Sequence, residues 1–146
     1  MEDIIQEKIS ADHLLYVSLK YTKTCDVIVN LLTRWTKMID TSIDAILEHA
    51  VKKKKILSVP TNPVGKMDTI KKLFKKDENF IDILELHDMF KRVKELHQER
   101  VGEFRKNVAL KLKYKGDEVI INLEQLKEYA QKLEKFISST KQFLLS

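Results

Sequence analysis

TCDVIVNLLTRWTKMIDTSIDAILEHAVKKKK, residues 24–55, places its apolar side chains at intervals of three and four. Ile28, Leu31, Leu32, Trp35, Met38, Ile39, Ile43, Ile46, Leu47 and Ala50 fall on one stripe of a 3.6-residue helix. Asp26 at the start and Lys52–Lys55 at the end complement the helix dipole. A helix of this span is about 48 Å long. So long an apolar stripe needs other helices to cover it, and the flanking sequence supplies them.

Upstream, Leu14, Leu15, Val17 and Leu19 predict a short helix from about residue 11 to 20, with Ser10 as N-cap. Thr22-Lys23-Thr24 breaks or bends it. Downstream, ILSVPTNPVG (56–65) carries both prolines and one of only three glycines, and is the main joint of the chain. A short basic helix is expected over 66–76. A third long helix is expected from about residue 77 or 79 to Asn107, with the stripe Ile83, Phe90, Val93, Val101, Phe104 and with His87 and His97 in register. VALKLKY (108–114) then alternates with period two, and Lys115-Gly116 supplies a turn. A small β-hairpin over 108–121 is expected, the alternative being a helix that runs on to Tyr114. Asn122 caps a last helix, with Gln125 three residues on. The fold class expected is therefore all-α: one domain, residues 1–146, as an antiparallel bundle of four to five helices with a small hairpin.

Charge is distributed unevenly. The chain carries +5 overall, yet residues 51–76 hold nine lysines and one acid, Asp68. That window carries +8 and leaves −3 for the other 120 residues. The lysines are Lys52, Lys53, Lys54, Lys55, Lys66, Lys71, Lys72, Lys75 and Lys76. A local patch of this kind suits an anionic partner, and RNA bound through its phosphates is the partner expected. The plainer reading is a set of solvated lysines at helix ends.

No glycine-rich phosphate loop, paired-cysteine zinc pattern or nucleophile elbow is present, so no cofactor is expected. The one cysteine, Cys25, has no intramolecular partner, which favours a reducing compartment and a cytoplasmic location. The opening MEDII lacks a basic and apolar leader pattern, so no secretory signal is expected. No run of ~18 uncharged apolar residues predicts a membrane span.

Two groups of residues are candidates for chemistry. Asp40, Asp44 and Glu48 stand at i, i+4 and i+8, a carboxylate line able in principle to hold a divalent cation, or else a solvated helix face. Arg92 and His97 lie five apart on the expected third helix, offset by ~140°. Arginine holds a phosphate and histidine moves a proton, the two needs of RNA cleavage. The competing reading pairs Arg92 with Asp88 and leaves His97 at the edge of the core.

ELHDMFKRVKELHQERVGEFRKN and NLEQLKEYAQKLEKFI, with the Arg-apolar-x3-His spacing of Arg92 and His97, resemble the HEPN superfamily. That resemblance implies a small helical, often dimeric protein. It also implies a metal-independent ribonuclease site at Arg92 and His97, or an inactive interaction module. Lys94 stands where the superfamily usually has Asn, Asp or His. HLLYVSLKYTKTCDVIVNLL is similar to small archaeal helical proteins, some described as ribonuclease III-like, although the acidic signature of ribonuclease III is missing. The function expected is an RNA-associated protein, HEPN-like or ribonuclease III-like. The alternative is a non-catalytic helical homodimer serving as a scaffold, since the helices are long and apolar for a chain of this length.

Overall fold

A computed structural model describes all 146 residues. Helix α1 (Glu2–His13) continues through a π-helical segment (Leu14–Ser18) and a last turn (Leu19–Tyr21). It therefore begins nine residues earlier than the apolar stripe suggests, because its first half is mostly exposed and buries only Ile4 and Ala11. Thr22 then leaves helical backbone, and Thr24 caps α2 (Cys25–Lys52) by accepting from the Val27 amide. Helix α2 buries twelve residues and is the spine of the molecule. Lys53 is its C-cap, and the chain turns away at Lys54, whose φ of +59° is left-handed. Asn62 caps α3 (Pro63–Leu73), with Pro63 in the first turn where no amide is needed. Asp77 caps α4 (Glu78–Arg92), and Asn122 caps α5 (Leu123–Leu145). Gln125 donates its amide to Asn122 Oδ1 at 2.8 Å, but its side chain turns to Glu128 instead of closing the reciprocal box.

Between α4 and α5 lies a three-stranded antiparallel sheet: β1 (Gln98–Val101), β2 (Ala109–Tyr114) and β3 (Asp117–Asn122). The expected all-α class is thereby corrected: the chain is mixed α/β, though mostly helical. The hairpin β2–β3 turns through Lys115 and Gly116, both at positive φ, as a tight two-residue turn requires. Strand β1 replaces the last part of the expected long helix, which ends at Arg92 rather than Asn107. A hydrogen-bonded turn over 93–96 closes α4, and Gln98 Nε2 donates back to Val93 O at 2.6 Å. From there Gln98↔Leu112 through Val101↔Ala109 pair β1 with β2. Gly102 (φ +65°) and Phe104 (φ +66°) are incompatible with helix. A methyl group at Gly102 would sit 2.8 Å from the Asn107 carbonyl oxygen.

Helices α1, α2, α4 and α5 pack down-up-down-up. Glu7 of α1 pairs with Arg34 and Lys37 of α2, and Lys8 with Glu134 of α5. Trp35, Phe90 and Tyr129 meet at the centre, where Trp35 stacks on Phe90 at 5.8 Å and Tyr129 meets Phe90 edge-on. Near the far end Phe74 lies flat on Phe80 at 3.9 Å, and Phe80 in turn meets Phe136. The sheet closes the other end with Val108, Leu110, Leu112 and Ile121 buried. No helix is long and apolar enough to cross a membrane.

Cys25 sits where sheet and bundle meet. Its thiol is fully buried and donates to the Ala109 carbonyl at 3.3 Å. Burial, reinforced by Glu103, pushes that thiol up to about 11. An acid whose folded pKa exceeds its unfolded value loses stability as pH rises from the unfolded to the folded value. The fold is thus expected to weaken by about 2 kcal/mol between pH 9 and 11. Cys25→Ser should flatten that part of the stability-against-pH curve. A wild-type curve already flat over this range would contradict it.

Candidate functional site

The sequence-predicted groups fall in three places. Arg92 is the last residue of α4, and its Nη1 lies 3.5 Å from Asp88 Oδ2. Its guanidinium also stands over the Tyr114 ring at 5.7 Å. His97 lies beyond the helix end, exposed, on the residue before β1. The two do not share a helix, and no hydrogen bond joins them. Their spacing was read on a continuous helix; the turn at 93–96 breaks that geometry.

The carboxylate line on α2 does not converge. Asp40 Oδ1 meets His87 Nε2 of α4 at 2.7 Å, and Asp44 Oδ1 accepts from Lys66 Nζ of α3 at 2.9 Å. Glu48 is exposed. No three His, Cys, Asp or Glu side chains gather to hold a metal ion. Asp40, Asp44 and Glu48, the alternative metal ligands, thus each meet a different environment.

His87 also borders a groove of about 310 Å³ between α3, α4 and the hairpin tip. Met67, Leu84 and Tyr114 form its apolar walls; Lys71, Asp88 and His87 supply polar ones. Tyr114 donates its hydroxyl to Asp88 Oδ2. That bond, with Arg92 and Lys91 nearby, holds the Asp88 carboxyl below the usual carboxylate range. Burial and the same carboxylate push the Tyr114 hydroxyl up to about 12. At neutral pH the pair is thus a phenol and a carboxylate, and it anchors the hairpin to α4 rather than offering a base. Asp40–His87 and Asp88–Tyr114 were both missed in the sequence. A histidine on an apolar stripe requires a polar partner once buried, and that was the available signal for His87.

The lysine segment takes a more informative shape. Of its nine lysines only Lys66 is in an ion pair, with Asp44. The other eight are exposed and make no salt bridge. Lys52–Lys55 end α2, while Lys71, Lys72, Lys75 and Lys76 run along α3 and the turn after it. Phe143 near the end of α5 brings the two groups together: Lys55 Nζ lies 4.7 Å over its ring and Phe74 packs on it at 5.1 Å. Asp77 lies beside Lys76, yet its carboxylate already accepts from the Phe80 amide at 3.2 Å. A shallow depression here is lined by Lys72, Lys75 and Lys76 together with Asp77 and Glu78. Such a surface suits an extended anion better than an enclosed small molecule.

No protein-family model matches the chain, and no curated protein or solved structure matches it.

Proposed function

We propose that this chain is an RNA-associated protein that holds the phosphate backbone on its lysine end. The observation that supports it is a set of eight exposed, unpaired lysines in two segments that Phe143 bridges, with Lys55 over its ring and Phe74 packed on it. Lysines without carboxylate partners are free to neutralise phosphates, and the release of cations condensed on the nucleic acid is the main source of sequence-independent affinity. Binding rather than cleavage is the reading favoured. Arg92, the residue the HEPN-like reading assigns to a phosphate, is already engaged by Asp88 and Tyr114, and His97 lies beyond the helix end with no hydrogen bond to it. A cytoplasmic location belongs to this reading, with Cys25 as a buried thiol. The test is a titration of a fluorescent 20-nucleotide RNA at 50 mM salt. Micromolar binding is expected, and no binding at 100 µM protein removes the reading.

The second reading, a homodimer, is favoured by α1. Ile5, Ile9, Tyr16 and Val17 are exposed along it. Its start is acidic (Glu2, Asp3) and its end basic (Lys20, Lys23), so an antiparallel second copy of α1 sets opposite charges together. Sedimentation should then give a dimer that Ile9→Asp converts to monomer. A wild-type monomer at 100 µM removes this reading.

A further inference from the structure

The end of the bundle opposite the lysine segment carries two exposed aromatic rings. Phe104 is 77% exposed and stands at φ +66°. Left-handed backbone is disfavoured for a bulky side chain, and neither burial nor packing of this ring offsets it. The surrounding loop nevertheless holds it there. The Phe104 amide donates to Lys23 O at 2.6 Å, and Arg105 N to Gly102 O. This fixes the loop after β1 against the turn between α1 and α2. Strained backbone that presents a ring to solvent points to a role for the ring outside the fold. Tyr21, two residues before Lys23, is 79% exposed, with Lys20 Nζ 5.8 Å over its ring.

Cations adjoin both rings, Lys20 over Tyr21 and Arg105 and Lys106 following Phe104 in the chain, and Asp26 and Glu103 beside them are occupied. Asp26 pairs with Arg100 at 2.7 Å. Glu103 accepts from the Cys25 amide at 3.3 Å, capping α2, and lies 4.0 Å from Arg100. Lys20, Arg105 and Lys106 are exposed and form no ion pair. Lys23 donates its ammonium to Lys20 O at 2.6 Å and so stays at the end of α1. Aromatic faces beside free cations are the chemistry of single-stranded nucleic-acid recognition, in which rings take bases and cations take phosphates.

We infer that Phe104 and Tyr21 form a stacking platform for unpaired nucleobases of RNA, with Lys20, Arg105 and Lys106 on the adjoining phosphates. The inference rests on the RNA reading above and adds to it a preference for single strands. Lysines alone attract duplex and single strand alike; the rings accept only a base free of its own stack.

Phe104→Gly separates binding from folding, because glycine adopts φ +66° without strain. The measurement is binding of an eight-nucleotide single strand containing 2-aminopurine, followed by anisotropy and by quenching of the base, at 100 mM salt. Phe104→Gly should melt no lower than wild type, bind the single strand about tenfold more weakly, and lose the quenching. Its binding of a duplex of equal length should be unchanged. Tyr21→Ala should act in the same direction. If wild type binds RNA but both variants match it in affinity and quenching, the platform is overturned and the lysine reading stands. If wild type binds no RNA of either form, the RNA reading falls and the platform with it. If Phe104→Gly weakens duplex and single strand equally, the platform is again overturned, since stacking cannot act on a closed duplex.

Discussion

Reversing Lys53, Lys54, Lys72 and Lys76 to Glu is expected to lower RNA affinity at 100 mM salt by at least about a hundredfold. These four side chains come from both segments that meet at Phe143, and all are exposed and unpaired. None makes a side-chain hydrogen bond or ion pair, and the lost dipole interaction at the end of α2 is small, so the fold should keep its melting temperature to within a few degrees. The matched control reverses Lys94, Lys113, Lys127 and Lys135, which are equally exposed but lie elsewhere. It changes the net charge by the same amount. A uniform electrostatic attraction would respond equally to both sets, whereas a localised site responds chiefly to the first. Equal losses in the two variants would contradict a lysine site.

The second large effect is on stability. Phe80→Ala is expected to destabilise the fold by about 3–5 kcal/mol, a drop in melting temperature on the order of 10 °C or more. Phe80 is 1% exposed, lies flat on Phe74 and meets Phe136. Its loss leaves a cavity and removes the surface on which Phe74 rests. Phe74 also packs on Phe143, so the same ring stack sets the position of the lysines on α3 against those ending α2. RNA affinity should therefore fall in Phe80→Ala even at a temperature where the variant is folded. Thermal melts followed by circular dichroism check the first part; a loss below about 1 kcal/mol would show that the stack is not a core element.

The helices that were legible in the sequence were those whose signal is local. Helix α2 has its twelve buried residues on a 3.6-residue stripe, and α5 has both a stripe and a capping Asn122. Strand β1 had no such signal. Gln98-Glu-Arg-Val101 does not alternate in polarity, and only its pairing with Ala109–Leu112 makes it a strand. Val93, His97, Val101 and Phe104 happen to recur at helical spacing, and the apparent stripe concealed the turn after Arg92. Phe104, read as a core residue, is among the most exposed side chains of the chain. The first half of α1 was missed for the opposite reason: it is helical with few buried residues to mark it.

The candidate sites divide along the same line. That residues 51–76 are basic is a fact of composition and was open to inspection. That Lys55 and Phe74 meet over one ring of α5 depends on contacts between residues 88 and 69 apart, which no local pattern records. Asp40 and His87 face each other across two helices and 47 residues. Conversely, Arg92 and His97 stood close in sequence and were joined on the assumption of an unbroken helix. A spacing argument is only as good as the element that carries it.

The most direct measurement of the RNA reading is the salt dependence of wild-type binding to single-stranded RNA. Eight lysines on the backbone should give a slope of log K against log salt of about −5 to −6, an affinity loss of roughly a thousandfold between 50 and 200 mM. The same slope should fall by about half when Lys53, Lys54, Lys72 and Lys76 are neutralised to Gln. A wild-type slope near zero, or one that those four substitutions leave unchanged, would contradict a phosphate-binding surface at the lysine end.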